Sequence, residues 1–205
     1  HFCRPAVVDW GFPRILYDLI EHFNLTCDLL AGVLTRCRHR NISSWGSPWA
    51  EDVTHFGALG DATSIPLASR RMLVHFPVDC PSLCTTLIRR LEAAFIDDPS
   101  TCALVLVRSL DTDFSWVSPW WVLGSSGTPD LARPVLLRGQ HIHRPNGPWV
   151  LVLLSDPTLH DGIRWDLVGG TLRQWHNFTC SDTLCQLVKD RTDTTRMEAE
   201  EAEQR

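Results

Sequence analysis

At 205 residues, 44% hydrophobic and 21% charged, the chain is long enough to bury a core and too apolar for general disorder. A formal charge of −5 supplies no global basic field to favour nucleic acid. No apolar run reaches the roughly 20 residues needed to cross a bilayer.

The first predicted element is a helix. Leu16, Ile20, Phe23, Cys27, Leu30, Leu34 and Cys37 recur at alternating spacings of four and three, the apolar stripe of a helix about six turns long. Pro13 suits its first turn, and Arg36, Arg38 and Arg40 lie where a helix dipole favours positive charge. On such a helix Cys27 and Cys37 stand about 15 Å apart, beyond disulfide reach, so each must be tied to a different element. Residues 41–69 read as a loop rich in Ser, Gly, Trp and Pro. A short strand at 73–76 precedes a second helix from 81 to about 96, with Leu83, Leu87, Leu91 and Ala94 on one face.

Beyond Cys102 the pattern becomes strand-like: 103–108, 114–123, 135–143, 149–154 and 163–178. The breakers between them include Gly124-Ser-Ser-Gly127, Pro145-Asn-Gly-Pro148 and Gly169-Gly170. A short helix over 182–190, capped by Ser181 or Asp182, closes the series. The expected fold is α+β: an antiparallel sheet of four to five strands in a meander, with two main helices packed on one face and disulfides stapling the whole. Residues 1–192 form a single domain and 193–205 an acidic flexible tail.

Two features give the chain an address. Three of its four asparagines, Asn24, Asn41 and Asn177, stand in N-glycosylation acceptors, Asn-x-Ser/Thr without proline between. The cysteines are even in number: Cys3, Cys27, Cys37, Cys80, Cys84, Cys102, Cys180 and Cys185. No Cys-x-x-Cys pair marks a zinc site, so beside the three acceptors they read as four disulfides, with the pairing open. The expected location is the secretory pathway, either secreted or on the outer face of a membrane. Membrane attachment enters only through an anchor outside this segment. The start at His1 rather than methionine reads as a chain whose signal peptide has been removed.

Motifs for chemistry are few. His141 and His143 alternate on a predicted strand and could converge on one metal ion, with His160, Asp156 and Asp161 completing the set. Two histidines beside a turn are more simply polar surface, so the expectation is no metal and no cofactor. Gly124-Ser-Ser-Gly127 lacks the spacing of a nucleophile elbow, and Gly169-Gly170 lacks both the lysine of a phosphate loop and the third glycine of a dinucleotide fingerprint. The paired aspartates Asp97-Asp98, Asp111/Asp113 and Asp156/Asp161 fall where turns use them. Arg89-Arg90 and the 36–40 cluster read as helix-face and helix-end charge rather than phosphate tracking.

With no catalytic set, the expectation is a non-enzyme that binds another extracellular or membrane protein, and no nucleic acid. It would be a receptor ectodomain, a secreted ligand or decoy, or a viral-type envelope or immune-modulating glycoprotein. Tryptophan and arginine dominate binding hot spots. Trp116, Trp120, Trp121, Arg89 and Arg90 are therefore the binding candidates, on the surface that sugars at the three acceptors would leave bare. The alternatives are a secreted metal-dependent hydrolase using His141 and His143, and an obligate subunit of a heteromeric surface complex.

Overall fold

The computed structural model describes residues 12–32, 36–47, 56–76, 81–108, 119–125, 135–137 and 149–179. The first part of the predicted strand 114–123, the latter part of 135–143, the predicted helix 182–190 and the tail 193–205 lie outside these, as do Trp116, His141, His143, Cys3, Cys80, Cys180 and Cys185.

The first helix is short. A 3-10 turn (Arg14–Leu16) leads into α1 (Tyr17–His22), which stops at Asn24. Asn24 takes a left-handed φ of 48°. Its amide donates to the Glu21 carbonyl and the Leu25 amide to the Ile20 carbonyl, satisfying carbonyls that the helix end would orphan. Leu25 and Ile20 are both fully buried, the apolar contact that accompanies such an ending. From there the period changes to two: Leu25, Cys27 and Leu29 are buried while Asn24 and Thr26 are exposed. The long helix expected through Cys37 is therefore corrected to a short helix and a strand. Its four-three spacing was the chance continuation of one period into another.

The described strands are β1 (Cys27–Asp28), β2 (Ser44–Trp45), β3 (Arg71–His75), β4 (Cys102–Arg108), β5 (Trp120–Ser125), β6 (Val135–Leu137) and β7 (Trp149–Leu154). They form one sheet in the order β2-β1-β3-β4-β7-β5-β6. β2, β1, β3 and β4 run parallel. β7 pairs antiparallel with both β4 and β5, and β6 antiparallel with β5. The sheet is thus mixed, not an antiparallel meander. The sequence reading missed β1 and β2 because two-residue strands carry no measurable period.

β4 and β7 are the centre. Ala103, Val105 and Val107 of β4 join Val150, Val152 and Leu154 of β7 on one face. Leu104 and Leu106 join Leu151 and Leu153 on the other. Both strands are buried on both sides, hence continuous apolar runs, each large aliphatic side chain contributing about 1.5–3 kcal/mol by its burial.

Helices cover both faces rather than one. α2 (Pro81–Asp97) is the helix expected near 81–96, with proline in its first turn, and it lays Leu83, Leu87, Ile88, Leu91 and Phe95 on the first face. α3 (Trp165–Thr179) follows a 3-10 segment (Pro157–Gly162) and replaces the strand expected at 163–178. Val168, Leu172 and Trp175, at helical spacing, pack it beside α1 on the second face. Gly169-Gly170, read as a break, sits inside that helix. Gly124, read as part of a turn, lies in β5 just past a register shift after Val122, where a Cβ would come within 3.1 Å of Leu172. Glycine there lets α3 pack close against the sheet.

No disulfide links any two of the described cysteines Cys27, Cys37, Cys84 and Cys102. The sheet divides them into two pairs: Cys27 and Cys84 belong to the α2-side core, Cys37 and Cys102 to the α1-side core. The expected stapling is not seen among these four, which are buried with free thiols; the other four cysteines lie outside the described residues.

Candidate functional site

β1 leads to β2 on one side, after which the chain crosses to β3 on the other side of β1. The strand order therefore reverses between β1 and β3, at the edge where β1, β2, β3 and β4 all end. In open sheets with parallel strands, the crevice at such a reversal is where ligands sit.

Four short segments meet there. β1 runs on through Leu29 and Leu30 to Ala31, whose amide donates to the Gly46 carbonyl, and then to the half-buried Gly32. Gly46 and the buried Ser47 follow β2. A Cβ on Gly46 would lie 2.8 Å from the Leu29 carbonyl oxygen, so only glycine allows the two strand ends to approach this closely. His75 and Phe76 end β3, and the His75 ring packs on Trp149 at 5.1 Å between centroids. Both of those rings are half-buried.

Asp28, the last residue of β1, is 4% exposed. Its Oδ2 accepts the Cys37 backbone amide at 2.7 Å, and the Leu30 amide also donates to the carboxylate. Burial still dominates and pushes its pKa up to about 6. No arginine or lysine pairs with it among the described residues. The same bond returns the loop after β1 to the strand it left. Beside it, Tyr17 is raised to about 12 by burial and by its hydrogen bond with Cys37, whose thiol burial also pushes up. The Tyr17 ring meets His39 edge-on at 5.7 Å. Perturbed titrating groups collected at a strand-order reversal mark a candidate site. Sequence reasoning passed over Asp28 because it was placed on the helix; the available signal was an acid inside Cys27-Asp28-Leu29-Leu30-Ala31-Gly32, an apolar run ending in small residues.

The residues singled out from sequence fall elsewhere. Trp120 is fully buried on the α2 side and donates its indole N–H to Glu92 Oε1 at 2.8 Å, so it offers no surface to a partner. Trp121, on the opposite face, is half-buried and donates to the Ser155 carbonyl. Arg90 is half-buried and clamps the carbonyls of Ala62 and Ile65 at 2.7 and 2.6 Å; Arg89 is exposed. His160 does not join Asp156 and Asp161 in a ligand set, and no cluster able to hold a metal occurs among the described residues. Instead His160 Nε2 is 2.8 Å from Ser155 Oγ, between the rings of Trp121 and Trp165. The Ser155 hydroxyl is buried, which makes this pair an internal latch rather than a nucleophile and base. Asn24 and Thr26 are exposed, Asn41 is half-buried, and Asn177 is exposed on α3.

No protein-family model matches this chain, and no curated protein matches it either.

Proposed function

We propose that this domain binds a small organic ligand at the carboxyl edge of β1 and β3, through the loops that leave those strands. The observation that carries the reading is Asp28: a carboxylate enclosed at the end of β1, beside the strand-order reversal, that organises the loop returning to Cys37. Gly46 supports it, since a side chain there would push the two strand ends apart. Architecture of this kind names a place for the ligand, and many chemistries share it. Nucleotide-like molecules are the first probes, because open sheets of this sort so often take them at this point.

The test is hydrogen exchange on the purified protein against a panel of nucleosides, nucleotides and related cofactors that raise its melting temperature. Protection concentrated in 28–32, 46–47 and 75–76 is the expected result. Protection confined to the opposite edge, around Trp121, Ser155 and His160, would overturn the reading, as would a panel with no stabilising member.

A second reading, a secreted or surface-exposed glycoprotein acting by protein binding, is favoured by one observation. Asn24 and Thr26 are both exposed on the tight turn that ends α1, open to a glycosylating enzyme. Expression through a secretory host separates the two. A mass loss on N-glycosidase treatment, abolished by Thr26→Ala, supports the glycoprotein; secretion failure with the thiols of Cys27, Cys37 and Cys102 reduced speaks for the ligand-binding domain alone.

A further inference from the structure

The basic cluster at 36–40 lost its explanation when the first helix ended at His22. Charge placed to suit a helix C-terminus needs a helix, and residues 36–40 form none. They alternate instead: Arg36, Arg38 and Arg40 are exposed, Cys37 is buried, and the His39 side chain is 13% exposed. The three arginines part company at their ends: Arg36 lies over the Trp45 ring, Arg40 reaches back to Glu21, and Arg38 stands exposed between them.

The same residues line a cleft of about 360 Å³, whose further wall is Ser43, Ser44 and Trp45. The volume lies in the range of small-ligand sites. The wall is fixed from behind: the Cys37 amide is held by Asp28, the Ile42 amide by the His39 carbonyl, and the Ser43 amide by the Thr26 carbonyl. Charge is poorly neutralised there. Arg40 pairs with Glu21 at 2.6 Å, and His39 lies 3.5 Å from the same carboxylate. Arg36 stacks over the Trp45 ring at 5.9 Å, and neither it nor Arg38 has an acidic partner among the described residues. The cleft thus carries two arginines without a carboxylate and a third with one, and the planar guanidinium fork matches phosphate oxygens.

We infer that the cleft between 36–40 and 43–45 is a binding site for a run of phosphate groups, carried either by a small polyphosphate or by the backbone of a single-stranded nucleic acid. The expectation that nucleic acid is no partner rested on the overall charge of −5 and on the helix-end reading of this cluster. Only the first support remains, and net charge does not describe a local cleft. The cleft shares the Asp28–Cys37 bond with the site proposed at the carboxyl edge, but its lining residues, 36–40 and 42–45, are not those whose protection tests that site.

Two probes on the intact protein test it: inorganic tripolyphosphate by calorimetry, and a labelled single-stranded oligonucleotide of about twelve residues by fluorescence anisotropy. At least one should bind, and its affinity should fall steeply as salt rises. Arg38→Ala, at an exposed position, should weaken binding several-fold and lower the salt slope by about one; Arg36→Ser with Arg38→Ala should weaken it roughly tenfold or more. Arg89→Ala, an exposed arginine on α2, should change nothing. Tripolyphosphate binding alone identifies a compact polyphosphate as the source; oligonucleotide binding, with or without tripolyphosphate, identifies a strand backbone. Binding of neither probe, binding indifferent to salt, or equal losses in Arg38→Ala and Arg89→Ala would overturn the site.

Discussion

The backbone amide of Cys37 donates to the carboxylate of Asp28, nine residues earlier, at 2.7 Å. One charged hydrogen bond thereby closes the loop that leaves β1 and sets the wall of the basic cleft. Because burial raises the Asp28 carboxyl from 3.8 to about 6, its ionisation weakens folding by about 3 kcal/mol.

The sign of the pH effect follows. Between about pH 4 and pH 6 the folded chain holds a proton that the unfolded chain has released, so stability falls as pH rises through that window and levels above it. Asp28→Asn keeps an oxygen for the Cys37 amide and removes the titration, so its urea midpoint should lose this slope. Asp28→Ala leaves the amide without its acceptor and should cost about 1–3 kcal/mol near pH 4, a cost that shrinks as pH rises to 6 because only wild type then carries the buried charge. Parallel pH profiles for wild type and Asp28→Asn would refute the assignment.

Asn24 has two separable roles. Its left-handed φ of 48° ends α1, and it is the acceptor of a sequon. Asn24→Gly should leave stability near wild type, while Asn24→Val should cost about 1–2 kcal/mol through its Cβ. Thr26→Ala should remove the acceptor signal and leave the turn intact. Denaturation midpoints and the mass of secreted protein read the two effects apart.

Glycines differ in what they permit. Gly46→Ala drives a Cβ to 2.8 Å from the Leu29 carbonyl oxygen and should destabilise by about 1–3 kcal/mol. Gly162→Ala meets nothing within 4 Å and should be neutral or stabilise by up to about 1 kcal/mol. Reversal of that order in chemical denaturation would contradict the close approach of β1 and β2.

The buried thiols should behave as thiols. Burial raises Cys102 to about 11 and also raises Cys27 and Cys37, so all three should react slowly with a disulfide reagent in the folded protein. In denaturant without reductant they should label at once, a result that peptide mapping can assign. Failure of Cys27, Cys37 or Cys102 to label when unfolded would restore the bridges expected from sequence.

How much of this was legible depended on how far each signal extended along the chain. α2, β4 and β7 were readable because Leu83 to Phe95 keeps one period, and because 103–107 and 150–154 are unbroken apolar runs. α1 was overextended because Cys27 happens to continue the helical spacing, and only the backbone of Asn24 announces the stop. α3 was mistaken for a strand because two adjacent glycines weigh against a helix locally, while burial of Val168, Leu172 and Trp175 outweighs them. The candidate site was hidden for a different reason. Asp28, Gly46 and Phe76 are brought to one edge by strand order, and strand order is written in no single segment.

The β4–β7 ladder has one more consequence. β4 is the last of the parallel strands, all built from residues up to 108, and β7 opens onto the antiparallel strands built from residue 120 onward. The sheet is therefore two incomplete halves joined along a single seam of six residue pairs. Either half made alone would present a long, flat, apolar margin with its amides and carbonyls bare, the template on which foreign strands add. Truncated products and chains stalled during synthesis should therefore be sticky along this seam. The same seam makes the molecule a natural subject for fragment complementation, with each half serving as the other's missing edge.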